Sequence, residues 1–422
     1  MKKHSLILKI FFVSLLFALI HNPSARADPG DLDTSFGTNG IVTNDIGGFD
    51  TAIDVVTQSD GKIVVSGTTF GATTNFALVR YDSDGTLDNT FGTNGLVTTN
   101  LSAADIGREV IIQADGKIVV GGSSEVNGNK DFAVVRYSSD GTLDTDFDSD
   151  GIVITPISGN SDEIWGITLQ ADGKIIAVGD SNSQLTVARY NSNGSLDTSF
   201  GTNGIAIPID GSGQAVSVQA DGKIVVGGRS AGQFAVIRLE SNGTLDNSFD
   251  SDGIATTYMG NDAFVSGWDI DLQADGKIVL VGTSFNDSDY DFSVVRYNSD
   301  GSLDSTFNTD GIFTYDSGGN DGGAAIAIQA NGKIVTGGYS NAGSGEEFTL
   351  IRLNPDGTYD TNFSSDGLVI TGDGQRGQGL TLQADNKILL TGYHSGDYVT
   401  ARYEGDLVTS PDQFVYLPTL LK

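Results

Sequence analysis

Few residues of this 422-residue chain could carry chemistry. It has no cysteine, so thiolate nucleophiles, thiolate metal sites and disulfides are absent. His4 and His21 lie near the N-terminus, which leaves His394 as the histidine around which a Ser–His–Asp triad would have to be built. Carboxylates are abundant instead: 54 acids make any pair suited to glycoside hydrolysis easy to find. The acids that break the repeat described below, Asp162, Glu163, Asp269, Asp271, Glu346 and Glu347, are the ones to weigh. Asp146-Phe147-Asp148-Ser149-Asp150-Gly151 alternates carboxylates before a glycine as calcium loops do, so Asp146, Asp148 and Asp150 are the metal candidates. The position where an EF-hand loop places its bidentate glutamate is Ile157. Calcium is therefore the sole cofactor considered, and no cofactor is otherwise expected. No glycine run stands in a strand-to-helix context that would cradle phosphate.

The elements that must position these residues come from a repeat of about 55 residues present seven times. Its anchor is a turn followed by a lysine, as in Asp60-Gly61-Lys62 and Asp385-Asn386-Lys387, with Lys117, Lys174, Lys223, Lys277 and Lys333 between them. Asp-Gly and Asn-Gly between apolar runs signal hairpins, because both central residues must tolerate positive φ. The strand before each turn ends in glutamine (Gln58 in the first copy). The strand after it is apolar on both faces, as expected for stacked sheets. A glycine recurs after every lysine: Gly67, Gly122, Gly179, Gly228, Gly282, Gly338 and Gly392. Glycine inside a strand marks a bulge or a close backbone approach. A third strand ends in Arg, then comes Leu-Asp-x-x-Phe and a short fourth strand.

Four strands in each of seven copies, with no amphipathic helix between them, predict an all-β, seven-bladed β-propeller over residues 28–404. A Leu-Asp-x-x-Phe begins at Leu32 before any anchor, and the last copy lacks a fourth strand. Residues 41–43 should therefore complete the last blade and close the ring, removing the sheet edges of a linear stack. Arg80, Arg136, Arg189, Arg238, Arg296, Arg352 and Arg402 recur in step with Asp33, Asp88, Asp144, Asp197, Asp246, Asp304 and Asp360. One bidentate structural ion pair per blade is the expectation. Leu-Asp-x-x-Phe-Gly-x-x-Gly, Gln-x-Asp-Gly-Lys-Ile-Val-Val-x-Gly and Phe-x-x-x-Arg-Tyr together resemble the delta-60 repeat family of bacterial propellers. That resemblance implies the propeller fold and an exported location, and no established activity. A looser similarity to kelch repeats at Gly121-Gly122 implies that the glutamine-ending strand is innermost.

The constant turns should share one face, and the segments that vary between copies the other. Variation gathered on one face of a repeat fold marks the binding face. Trp165 and Trp268 occupy the same position as Ile53, Arg108, Gln214, Ala324 and Gln378 in the other copies, a position expected near the mouth of the central channel. The ligand-binding candidates are Trp165, Trp268, Arg108, Tyr258, Phe285, Tyr290, Arg229, Arg376 and His394. Rigid aromatics with polar neighbours suit sugar or peptide surfaces. The alternative is that the tryptophans pack between blades.

Residues 1–27 read as a signal peptide: Lys2 and Lys3, an apolar run over residues 10–20, and Ala25-Arg26-Ala27 for cleavage after Ala27. The run falls short of the roughly 20 residues that span a bilayer. No membrane insertion is expected once it is removed. The net charge of −31 disfavours nucleic acid and anionic membranes as partners. Residues 405–422 leave the repeat as a C-terminal tail whose ending is similar to surface-sorting endings of exported bacterial proteins. The expected protein is a monomer, secreted or at the cell surface of a bacterium. Its expected function is non-catalytic, binding an extracellular protein or glycan. The alternative is a carbohydrate-active hydrolase or lyase using non-repeat carboxylates at the channel mouth.

Overall fold

The structure, a computed structural model, describes residues 27–406 except 261, 263, 344, 373 and 374. The expected signal peptide, apart from Ala27, and the tail beyond Asp406 lie outside the described residues. Among those described, no helix is long and apolar enough to cross a membrane.

Seven four-stranded antiparallel sheets form, one per repeat, and in each of the first six the strands lie in chain order. In the first blade these are Phe49–Thr57, Ile63–Phe70, Thr74–Tyr81 and Leu96–Thr99, counted outward from the channel. The glutamine-ending strand is innermost, as the kelch-like pattern implied. In the seventh blade, Gln375–Leu382, Ile388–His394 and Asp397–Tyr403 are completed by Ile41–Asn44, so the first strand of the chain closes the ring. Its register pairs Ile41 with Ala401 and Thr43 with Val399.

Blades pack face to face through apolar clusters that each span two neighbours. Val225, Phe234 and Val236 of the fourth blade meet Ile270, Ile278 and Leu280 of the fifth. The second strand of each blade is apolar on both faces because it lies in the middle of this stack, buried on both sides. The anchor turn places Gly61 at φ 86° and Asn386 of the seventh copy at φ 67°, which explains why that position admits Gly or Asn alone.

Seven clusters join the blades on the face of the constant turns. In each, the arginine Nε donates to one aspartate oxygen: 2.7 Å for Arg80–Asp88, 2.6 Å for Arg238–Asp246 and 2.7 Å for Arg402–Asp33. The anchor lysine reaches the same oxygen, as with Lys223 and Asp246 at 2.7 Å. The other oxygen accepts from the backbone N–H, and usually the hydroxyl, two residues on, as with Ser248. The pairs are therefore not bidentate as expected. The arginine fork is divided, because its Nη1 donates to a backbone carbonyl of the following blade in six of the seven cases, for example Arg238 to Ser299 O at 2.6 Å. The guanidinium also stacks on the Phe of its own Leu-Asp-x-x-Phe segment, 4.6 Å from Arg238 to the Phe249 ring. The exception is Arg352, whose neighbouring blade is the one assembled from both chain ends. It donates instead to Asp406 at 2.9 Å, and Lys333 also pairs with Asp406.

Arg238 and Asp246 are 7% and 3% exposed, so removing one charge strands its partners in a desolvated site. Asp246→Asn is expected to lower stability by about 3–5 kcal/mol, read from the denaturant midpoint, with more than half of that loss lacking for a surface substitution such as Asp221→Asn.

Candidate ligand site at the channel mouth

The mouth is built by a backbone irregularity repeated seven times. In every innermost strand the pairing register slips by at least one residue opposite the recurring glycine. Gly67 pairs with Ala52, and a Cβ at Gly67 would stand 2.0 Å from Thr51 O. At Gly179 the corresponding distance to Glu163 O is 1.8 Å. Only glycine admits this approach, which is why it recurs in every copy. The unpaired residues of the bulges are Ile53, Arg108, Trp165, Gln214, Trp268, Ala324 and Gln378, with Glu109 also unpaired in the second blade, and these seven line one cavity of about 710 Å³ over the channel. One freely variable side chain per blade thus points to a common centre.

Within this ring, Trp165 and Trp268 lie with centroids 6.5 Å apart, tilted by 60°. Each indole N–H is satisfied, by Asp180 at 2.9 Å and by Thr283 at 3.1 Å respectively. Both tryptophans are half-buried and line the cavity. The Arg108 guanidinium lies 3.9 Å over the Trp165 ring and 3.7 Å from Glu163, which Lys130 also pairs at 2.6 Å. Elsewhere on the rim, Arg376 stacks on Tyr339 at 4.1 Å, bonds its hydroxyl at 3.1 Å and pairs with Glu346 at 2.9 Å. Phe264, 67% exposed, meets Tyr290 edge to face, and both line the cavity with Tyr339 and Tyr393.

The sequence candidates divide three ways. Trp165, Trp268, Arg108, Arg376 and Tyr290 come together at the mouth. Tyr258 and Phe285 line a separate hollow of about 350 Å³ beside it, floored by Met259 and Gly260. Arg229, paired with Ser212 and Phe234 in its sheet, and His394, opposite Gln375 and Asp397, line neither. Asp146, Asp148 and Asp150 do not converge: among the described residues they form no group of three carboxylates within 4.8 Å. Asp148 sits in a turn at φ 46° and Asp150 accepts from Ile152 N–H at 2.9 Å, so the alternating acids shape a turn.

Below the ring the lumen holds acids, of which the sequence reading singled out Asp269 and Asp271 and missed Asp54 and Glu109. Each carboxylate spans to the next blade and accepts a backbone N–H from its innermost strand: Asp54 from Val110 at 3.0 Å, Glu109 from Ile167 at 2.7 Å, Asp269 from Ile326 at 2.8 Å and Asp271 from Ile328 at 2.8 Å. These N–H groups lie on the channel-side edge, where no further strand can pair them. Asp54, Glu109 and Asp269 share the position next to the bulge, where other copies have Gly166, Ala215, Ala325 and Gly379. A Cβ at Gly379 would lie 3.1 Å from Asp54 Oδ1, and one at Gly166 3.1 Å from Glu109 Oε2. Acids at a position that four copies fill with glycine or alanine are the signal that could have found them.

Burial pushes the Asp54 carboxyl up to about 6, against the pull of the Val110 and Val55 amides. Burial likewise takes Asp269 up to about 7, with the charges of Asp271 and Asp54 adding to it. Glu109 is raised well above the usual range by burial and then by the charges of Asp54 and Asp269. The turn-face aspartates shift the other way. Burial works to raise Asp246, but Lys223, Ser248 and Arg238 outweigh it and hold the carboxyl far below its ordinary value. Asp197 falls to about 2, chiefly through the Ser199 hydroxyl.

Opposite pH dependences follow. A lowered aspartate stabilises the fold above its unfolded pKa, and that stability is lost as pH falls from about 4 toward 2. A raised one stabilises the fold below its unfolded pKa, and that stability is lost as pH rises from about 4 through 6 to 7. The denaturant midpoint is expected to peak near pH 4–5 and to decline on both sides. Asp269→Asn should flatten the decline between pH 5 and 8 and leave the acid limb in place, as urea titrations across pH would register.

Six segments, 58–91, 113–147, 170–200, 219–249, 273–307 and 329–363, match a family described as a domain of unknown function (DUF5122) beta-propeller. No curated protein matches the sequence. Among solved structures the chain is similar to virginiamycin B lyase from Staphylococcus aureus, with 12% identity, a TM-score of 0.54, and 86% of this chain and 98% of that one covered. It is also similar to Sqt1 from Chaetomium thermophilum, with 14% identity, a TM-score of 0.49, and 87% and 100% covered. At 12% identity the likeness to the lyase speaks for the fold alone, and the second likeness carries no argument. Each matched segment runs from the glutamine of an innermost strand to the Phe of Leu-Asp-x-x-Phe, and the seventh such unit is divided between Gln383–Tyr403 and Leu32–Phe36 at opposite ends of the sequence. The chain thus matches a β-propeller repeat family in six uninterrupted copies of the repeat, and a seventh copy is shared between its ends.

Proposed function

We propose that this protein is an exported, non-catalytic propeller that binds a glycan at the channel mouth. The observation that carries the reading is the Trp165–Trp268 pair on two bulges of a ring whose other members differ from blade to blade. Indole faces stack on the apolar faces of sugar rings, and Gln378, Asn320 and Thr283 around them offer amide and hydroxyl partners for sugar hydroxyls. A protein surface is the second reading. It is favoured by Tyr258 and Phe264, 66% and 67% exposed beside the mouth, where aromatic anchors of an interface are found. The raised carboxyls of Asp54 and Asp269 would suit a general acid of a hydrolase or lyase. Their oxygens are already engaged by backbone N–H groups of their own and the next blade, which argues for a role in holding the inner ring. Export rests on the Lys2-Lys3 start, the apolar run and Ala25-Arg26-Ala27.

On a glycan array the purified chain is expected to bind a restricted set of oligosaccharides, without product release on prolonged incubation. Trp165→Ala combined with Trp268→Ala should weaken that binding at least about tenfold while leaving the circular dichroism spectrum unchanged. Unaltered binding by the double variant would place the ligand elsewhere. In a secreting bacterial host, N-terminal sequencing of protein recovered outside the cytoplasm is expected to begin at Asp28; an intact Met1 terminus would count against export.

A further inference from the structure

An aspartate stands at the start of the innermost strand in four blades: Asp50, Asp105, Asp162 and Asp321, each fully buried. One oxygen of each caps the preceding loop, as Asp50 Oδ2 does by accepting from Ile46 N–H at 2.7 Å and Gly47 N–H at 3.2 Å. In three blades a serine hydroxyl satisfies the other oxygen: Ser124 donates to Asp105 at 2.7 Å, Ser158 to Asp162 at 2.8 Å and Ser317 to Asp321 at 2.6 Å. The first blade has Ile46 and Gly47 where the other loops carry serine, and Asp50 Oδ1 is left buried without a partner. Leaving a buried acceptor unsatisfied is costly, and a carboxylate oxygen more so.

That orphan does not stand alone. Asp45 and Asp397 each bring a carboxylate oxygen within 4.8 Å of one on Asp50 and of each other. None of the three pairs with a lysine or arginine among the described residues. Three mutually repelling carboxylates, one of them desolvated, leave an electrostatic debt that a cation would cancel. The three oxygens are also near enough to share one ion: oxygens on opposite sides of a calcium ion at about 2.4 Å stand about 4.8 Å apart, and these lie within that span. A second trio, Asp289, Asp291 and Asp316, also has its oxygens within 4.8 Å of one another, but its buried member Asp291 accepts from Asn286 and has no orphaned oxygen.

We infer that Asp45, Asp50 and Asp397 bind a calcium-class divalent cation at the seam of the ring. Asp45 opens the connection that leaves the closing strand Ile41–Asn44, Asp50 stands in the innermost strand to which that connection leads, and Asp397 opens the strand that the closing strand pairs with. Asp50 N–H already donates to Gly396 O at 2.6 Å, so the ion ties together segments that are held in register. This site is distinct from the Asp146–Asp150 loop and from the mouth.

The test is calorimetric titration of chelator-treated full-length protein with calcium chloride, paired with thermal unfolding. The expected result is saturable binding and a rise in Tm of at least about 3 °C at a hundredfold excess over Kd. Asp397→Asn and Asp50→Asn should each weaken binding at least about tenfold, and Asp291→Asn should leave it unchanged. Should Asp50→Asn fail to fold, Asp397→Asn carries the test, since it changes a side chain at a strand end. Absence of binding by the unaltered protein, undiminished affinity in Asp397→Asn, or loss of binding in Asp291→Asn would each overturn the inference.

Discussion

The ring depends on a guanidinium that works in two blades at once. Arg238 neutralises Asp246 within its own blade, lies on Phe249 and still has an amine left to donate to Ser299 O of the blade ahead. A bidentate pair would have consumed both arms inside one blade and left packing alone to set the angle to the next. Dividing the fork makes six of the seven ion pairs also spacers between blades. The lysine explains how one carboxylate serves two cations: the aspartate receives charge from Lys223 as well, so the arginine is not needed in full.

A second constraint acts at the opposite end of the same strands. Gly228 lies so near Ser212 O that no side chain fits, and the strand beside it bulges. The bulge gives the protein a position whose side chain is released from ladder pairing and aimed at the axis. Rigid backbone with free choice of side chain is what a binding surface needs. The ring uses that freedom unevenly, with tryptophan in two blades, arginine in one, glutamine in two, and aliphatic residues in the rest.

Features that recur were legible in the sequence, and features that depend on a neighbour were not. Blade number, strand order and closure by Ile41–Asn44 follow from a repeat that begins in mid-unit at Leu32 and ends in mid-unit at Tyr403. The mouth position could be read because Trp165 and Trp268 align with one another relative to their lysines. The divided arginine fork could not, since its second partner is a backbone carbonyl, which has no residue type. Asp54 and Glu109 escaped notice for a related reason. Their partners are amides of the next blade, and their sole trace is the small residue facing them, Gly379 or Gly166. Alternation of Asp146, Asp148 and Asp150 along the chain says nothing of whether three side chains turn toward one point, and these three do not gather.

Closure of the seventh blade by the first strand also fixes how the molecule presents itself. Gly30 N–H donates to Glu404 O, and Asp406 is held by Arg352 and Lys333, so both ends of the described chain sit together among the turn-face clusters. The aromatic cavity opens on the reverse side. The two faces of the disc are thus divided in kind: one holds the ends of the described chain within a lattice of ion pairs, and the other holds the aromatic hollow with no chain end beside it.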